Sequence, residues 1–228
     1  MAVPNLSEAR EAGGLPRVTS LLAERAPLRI IAFGSSSTQG VGASSPAMSY
    51  PSRLEQEMSG LLPDAKIVIL NRGIGGEDAD DMMRRLPAIL ADKPDLVIWQ
   101  TGSNDPLRDV AIDDFVSQTR AGIAAMQAAG VDVMLMEPQY CRRLASKPGS
   151  DRFRDAVRAL GAEMSVPVIR RYDLMQSWLE RGLVTPAQML SADGMHMADA
   201  GYALLATDVA REILALTRNS ARIGTAQR

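Results

Sequence analysis

Apolar and polar positions along the chain fall into two alternating rhythms. The short runs LRIIAF at 28–33, AKIVIL at 65–70, LVIWQ at 96–100 and VDVMLM at 131–136 are almost wholly apolar. Each gives way to a turn rich in glycine, proline or hydroxyl residues. Runs of this length and β-branched content read as strands, and their lack of a polar face predicts burial on both sides. A fifth run, Val166-Pro167-Val168-Ile169, contains a proline and so is predicted at an edge.

Between the runs, apolar residues recur at helical spacing. The stripes are Leu54, Met58, Leu61 and Leu62; Met82, Leu86, Ile89 and Leu90; Ile112, Phe115, Val116, Thr119, Ile123 and Met126; and Phe153, Val157, Leu160 and Met164. Ser49 is placed to cap the first of these helices, with Pro51 in its first turn. Pro87 predicts a kink or split in the second. A charged loop is expected from Tyr140 to Gly149, then helix over 173–181. Thr185-Pro186-Ala187-Gln188 has the form of a capping box. A closing helix carries Leu205, Val209, Ile213 and Leu216.

Strand and helix alternate, which predicts parallel strands joined by right-handed crossovers in one three-layer α/β domain. The expected organisation is a polar arm and short helix over 1–27, the domain over 28–217 and a fraying tail over 218–228. Within the first segment, residues 1–14 read as a loose arm, and Val18, Leu21 and Leu22 share one face of a helix from Leu15 to Arg25.

Composition narrows the function classes. The 228 residues are 46% hydrophobic and 23% charged, as in globular proteins. A net charge of -2 gives no electrostatic case for nucleic acid or an anionic membrane as partner, and 4% aromatics argue against a base-stacking surface. The single cysteine, Cys141, excludes an intrachain disulfide, and the single histidine, His196, excludes a multi-histidine metal site. No metal or other cofactor is expected. No apolar run approaches the roughly 20 residues of a membrane helix. The start, MAVPNLSEAREAGG, lacks an apolar signal core, so a cytoplasmic protein is expected, or a periplasmic or secreted one if a leader has been removed.

The turns after the strands carry the chemistry. The first strand runs into Gly34-Ser35-Ser36-Ser37-Thr38, the second into Asn71-Arg72-Gly73-Ile74-Gly75-Gly76, and the third into Thr101-Gly102-Ser103-Asn104-Asp105. With strand order 2-1-3-4-5 these turns lie side by side at the switch point, where such sheets form their crevice. A serine hydroxyl needs a base to become a nucleophile. His196 is the only side chain here whose ordinary titration range suits that role, and Asp193, with Gly194 between, is placed to hold its second ring nitrogen. A glycine turn and the Asn104 amide offer N–H donors for an oxyanion.

FGSSSTQG, NRGIGG, TGSND and DGMH, in this order, resemble the sequence blocks of the SGNH (GDSL-type) hydrolases over roughly residues 28–210. The resemblance implies a flavodoxin-like α/β/α sandwich with a five-stranded parallel sheet, ordered 2-1-3-4-5, that hydrolyses esters without metal. It implies Ser36 as nucleophile, Asp193 and His196 as its triad partners, and the Ser36 N–H, Gly76 N–H and Asn104 amide as oxyanion hole. Two positions depart from the pattern: Ser35 stands where an aspartate usually precedes the nucleophile, and Met197 where proline is common.

The expected reaction is hydrolysis of a short acyl ester, acetyl foremost, on a small molecule or carbohydrate. Glu137, Tyr140 and Arg142, with Gln139 and Arg143, follow the fourth strand as a solvated loop, and are candidates for contact with a polar substrate such as a sugar. Competing readings are a lipid-ester or acyl-thioester hydrolase, a flavodoxin-like carrier cradling FMN phosphate at 34–38, and a silent glycan-binding module. Oligomeric state has no signature in the sequence.

Overall fold

Five strands, β1 (Leu28–Gly34), β2 (Ile67–Gly73), β3 (Leu96–Gln100), β4 (Asp132–Met136) and β5 (Val168–Ile169), form one parallel sheet ordered β2-β1-β3-β4-β5 in a computed structural model that describes residues 14–226. The expected loose arm at 1–14 lies almost wholly outside the described residues. Successive strand residues point to opposite faces, so each strand feeds two cores. Leu28, Ile30, Ala32, Ile67, Ile69, Leu96 and Ile98 share a core with α1 (Pro16–Ala23), α3 (Tyr50–Leu61), α8 (Arg171–Glu180), α9 (Pro186–Met189) and α10 (Asp199–Ala226). Ile31, Phe33, Val97, Trp99, Val133 and Leu135 pack against α4 (Ala79–Ala91), α5 (Ile112–Ala128) and α7 (Ser150–Glu163). Each buried leucine, isoleucine, valine or phenylalanine side chain among them is worth about 1.5–3 kcal/mol relative to exposure.

Trp99 anchors the second core. Its ring stacks on Phe33 at 5.7 Å between centroids. Its far edge reaches α5 at Gly122, where an added Cβ would stand 2.5 Å from the indole. A glycine inside a helix is otherwise unfavourable, so its presence there follows from the width of the indole.

Several local expectations are corrected. Pro87 neither splits nor ends α4, which runs unbroken from Ala79 to Ala91. Ser49 sits at the N-cap of α3, but its hydroxyl donates to the Pro46 carbonyl at 2.8 Å instead of capping the helix. Leu61 is half exposed, while Leu62 at the end of the helix carries the stripe on by packing against the first core. The stretch 140–149 is not simply a charged loop: it holds the short helix α6 (Arg142–Ala145), whose Leu144 packs with Cys141 and Met195. The closing helix is described from Asp199 to Ala226.

The strands all point the same way, so their carboxyl ends share one edge. The last pair of the β1–β2 ladder is Gly34 opposite Gly73. A Cβ on Gly73 would stand 2.1 Å from the Gln39 backbone nitrogen, so only glycine lets the turn after β2 close onto the turn after β1.

Candidate active site

At the end of β1 the chain turns directly into α2 (Ser36–Gln39), a single helical turn closed by Gly40 in the left-handed conformation. This sets Ser36 on the first residue of the turn at the sheet edge, 7% exposed. Its Oγ lies 2.8 Å from His196 Nε2. His196 Nδ1 lies 2.5 Å from Asp193 Oδ2. A hydroxyl, an imidazole and a carboxylate therefore stand in one hydrogen-bonded line, drawn from both ends of the domain.

The loop that carries the last two is locally determined. Ser191 N–H donates to the His196 carbonyl at 2.8 Å, and Leu190 bridges Met197, closing a tight turn around Gly194. Asp193 Oδ1 accepts from the Ser191 hydroxyl at 2.8 Å and from the N–H groups of Met195 at 2.8 Å and His196 at 2.9 Å. Partial burial opposes ionisation of Asp193, but the bonds from the His196 ring, the two backbone N–H groups and Ser191 outweigh it. They hold this carboxyl well below the usual carboxylate range. Met197, the departure from the block pattern, is buried in the first core and shapes the loop without facing the site.

On the opposite side of Ser36 stands the turn after β2. Its Gly75 N–H donates to Gln39 Oε1 at 2.8 Å, and a Cβ added at Gly75 would stand 3.8 Å from Ser36 Cβ. Gly76 is exposed, with a φ of +82° and open space where a side chain would be. Residues just after β3 hold this turn from below. Asn104 Nδ2 donates to the Glu77 carbonyl at 2.8 Å, and Asp105 Oδ1 accepts from Ala79 N–H at 2.9 Å. Arg108 pairs with Asp78 and Asp81 and reaches the Gly76 carbonyl. Burial, with Asp78 nearby, pushes the Asp105 carboxyl up to about 6.

The predicted triad residues thus converge, and beside them Asn104, after β3, is bonded to the turn after β2 that holds Gly76. The predicted substrate contacts do not form a group. Glu137 is fully buried, with both carboxylate oxygens bonded to Arg158 and one also to Tyr172 N–H, so it faces the interior and is unavailable to a ligand. Gln139 is 1% exposed. Tyr140 is half-buried edge-on to Tyr172, and Arg142 is exposed at the start of α6. A polar depression of about 310 Å³ lies beside these residues, lined among others by Pro138, Gln139, Leu144, Asp151, Arg154 and Tyr172.

Sequence reasoning missed Gln39, Gln100 and Arg171. Gln100 ends β3 fully buried, and its Oε1 accepts from Ser35 N–H at 2.9 Å, the Ser35 hydroxyl at 3.0 Å and Thr38 at 3.3 Å. The only signal was an amide closing an otherwise apolar strand. Among the described residues no group of three or more His, Cys, Asp or Glu is arranged to hold a metal ion, and no helix is long and apolar enough to cross a membrane.

Comparison with known proteins places this geometry in context. Residues 2–218 match the profile of the non-GDSL lipase-like family. The chain is 28% identical to an arylesterase of Vibrio mimicus over 176 residues, 72% of this chain and 82% of that one. Among solved structures it superposes on a two-domain esterase (CEX) active on acetylated mannans with a TM-score of 0.76 at 20% identity. That match covers 92% of this chain and spans only 56% of the mannan esterase. Axe2, an acetylxylan esterase from Geobacillus stearothermophilus, matches with a TM-score of 0.71 at 21% identity, over 82% of this chain and 94% of that one. At such identities the two structures share its fold.

Proposed function

Because the chain belongs to the non-GDSL lipase-like family of SGNH-type ester hydrolases, we propose that it cleaves short acyl esters, acetyl foremost, through a Ser36–His196–Asp193 triad. The observation that carries this reading is the line of bonds from Ser36 Oγ to His196 Nε2 at 2.8 Å and from His196 Nδ1 to Asp193.

Ser36 Oγ attacks the ester carbonyl carbon as its proton passes to His196 Nε2. The carbonyl oxygen, now an oxyanion, takes hydrogen bonds from the N–H groups of Ser36 and Gly76 and from Asn104 Nδ2. One amide hydrogen of Asn104 is engaged by the Glu77 carbonyl, leaving the other for the substrate. Collapse expels the alcohol, which takes the proton from His196 and leaves an acyl-serine. Water then attacks the acyl carbon and gives a proton to His196. That proton returns to Ser36 Oγ as the carboxylic acid departs. Asp193 stays ionised throughout, fixing the imidazole tautomer and stabilising the imidazolium.

An acylated carbohydrate is the substrate class best supported. The two structural relatives act on acetylated mannans and on acetylxylan. The test is hydrolysis of p-nitrophenyl acetate and of acetylated oligosaccharides by the wild type, Ser36→Ala and His196→Ala. Loss of turnover in both variants is the expected result; equal rates in all three would reject the triad.

A further inference from the structure

Beneath the triad lies a chain of buried polar side chains that the reaction steps above do not use. Its bonds run in one direction. Ser35 donates to Gln100 Oε1 at 2.9 Å through its N–H and 3.0 Å through its hydroxyl. Gln100 Nε2 donates to Ser103 Oγ at 3.2 Å, and Ser103 donates to Gln139 Oε1 at 3.0 Å. Gln139 Nε2 closes the chain on the Met195 carbonyl at 3.5 Å. The first member is the neighbour of Ser36 and the last is the neighbour of His196. Every member is at most 5% exposed.

Arg171 is the hub of this chain. It is fully buried, and it donates to Gln139 Oε1 at 2.8 Å, to the Glu137 carbonyl at 3.0 Å and to Ser103 Oγ at 3.4 Å. No carboxylate pairs with it among the described residues; the nearby carboxylate of Glu137 is bonded to Arg158. Burial lowers its pKa to about 10, so it remains a cation at neutral pH. A buried cation hydrogen-bonded only to neutral oxygens carries a desolvation cost that packing alone would not require. What it does here is orient the Gln139 amide: with Oε1 held by Arg171 and Ser103, Nε2 must face the histidine loop.

We propose that Arg171, Gln139, Ser103 and Gln100 act as one positioning chain, which sets the nucleophile turn and the histidine loop at their working separation. The proposal rests on the triad reading and adds residues that touch neither substrate nor reacting atoms. Ser36 and His196 are 160 residues apart, and the side-chain bond that joins them must break and re-form during turnover. Lasting ties join the segments just beyond them, Ser44 to Asp199 at 2.6 and 2.8 Å and Tyr202 to the Val41 carbonyl at 2.7 Å; the buried chain adds one that reaches the residues adjacent to Ser36 and His196 themselves.

The test uses Gln139→Glu and Ser103→Ala in the full-length protein, because Arg171 variants are at risk of not folding. A glutamate at 139 still accepts from Arg171 and Ser103 and adds an ion pair, but it cannot donate to Met195. The expected result is a Tm no lower than wild type with kcat on p-nitrophenyl acetate reduced about tenfold or more and KM within about twofold. His196 is the only histidine, so its ring gives a single set of NMR resonances, and these should move in both variants. The double variant should lose no more than the worse single one, because both substitutions interrupt the same chain. Wild-type kcat and unmoved ring resonances in Gln139→Glu would overturn the proposal, as would multiplicative losses in the double variant. The NMR arm does not depend on ester turnover, so failure of the esterase reading is distinguishable from failure of this one.

Discussion

Asp193 grips His196 twice. One carboxylate oxygen meets the imidazole Nδ1 at 2.5 Å, while the other accepts the backbone N–H of the same residue at 2.9 Å. The carboxylate thereby fixes both the ring and the strand of chain that bears it. The loop geometry and the tautomer share one cause.

Asp193→Asn separates those two roles. The amide keeps an oxygen for the Met195 and His196 N–H groups, so circular dichroism and Tm should stay near wild type. The ring loses its ionic partner and favoured tautomer, and kcat should fall by up to about 10⁴-fold. Stopped assays on p-nitrophenyl acetate measure this directly.

Asn104 holds the Gly76 turn through the Glu77 carbonyl and also offers a hydrogen to the oxyanion. Asn104→Ala should therefore lower kcat by about 10²–10³-fold with a smaller change in KM. Asn104→Asp should be no better, because a carboxylate oxygen would face the Glu77 carbonyl where a donor now stands. Steady-state kinetics on both variants checks the order.

Buried Asp105 gives a pH signature in stability. Its folded pKa, pushed up to about 6, lies above the ordinary value for an unfolded aspartate, about 3.9. Its protonated form is thus favoured by folding. That contribution is fully present below about pH 3.9 and lost as pH rises through about 6. Asp105→Asn keeps an acceptor for Ala79 N–H and removes the titration. The variant should gain on the wild type between pH 5 and pH 7.5, by an amount on the order of 1–2 kcal/mol, in urea unfolding curves.

Gly122→Ala should destabilise the domain by about 1–3 kcal/mol despite the better helix propensity of alanine, because its methyl would meet the Trp99 indole. Urea midpoints test the stability change. Since Trp99 and Gly122 pack in the core away from the triad, kcat should hold at wild-type values below the transition.

Much of this architecture is legible in the sequence because it depends on local pattern. Strands such as LVIWQ are buried on both faces and announce it, and a parallel sheet then obliges their following turns to meet at one edge. The blocks around Ser36, Gly76, Asn104 and His196 carry short-range geometry in their own residues. What could not be read depends on partners distant in sequence. Glu137 and Gln139 look like any polar loop until Arg158 and Arg171 are seen to enclose them. Gln100 differs from a solvent-facing strand end only in that Ser35 and Thr38 fold over it. Pro87 was expected to break a helix whose packing against the sheet carries it through, and Leu61 fits the apolar stripe by spacing alone.

The direction of the chain beneath the triad has an evolutionary consequence. The family block that FGSSSTQG resembles usually carries aspartate where Ser35 stands, and an acid there would confront Gln100 Oε1, oxygen against oxygen. Turning the Gln100 amide over would pair it with the acid but set Nε2 against the residue-35 N–H, and Ser103 would then have to give its hydrogen to Gln100 and abandon Gln139. Residue 35 is therefore not free to drift on its own: exchanging it rewrites the wiring as far as Met195, and lineages with the acid and lineages with the serine should differ at these inner positions as a set.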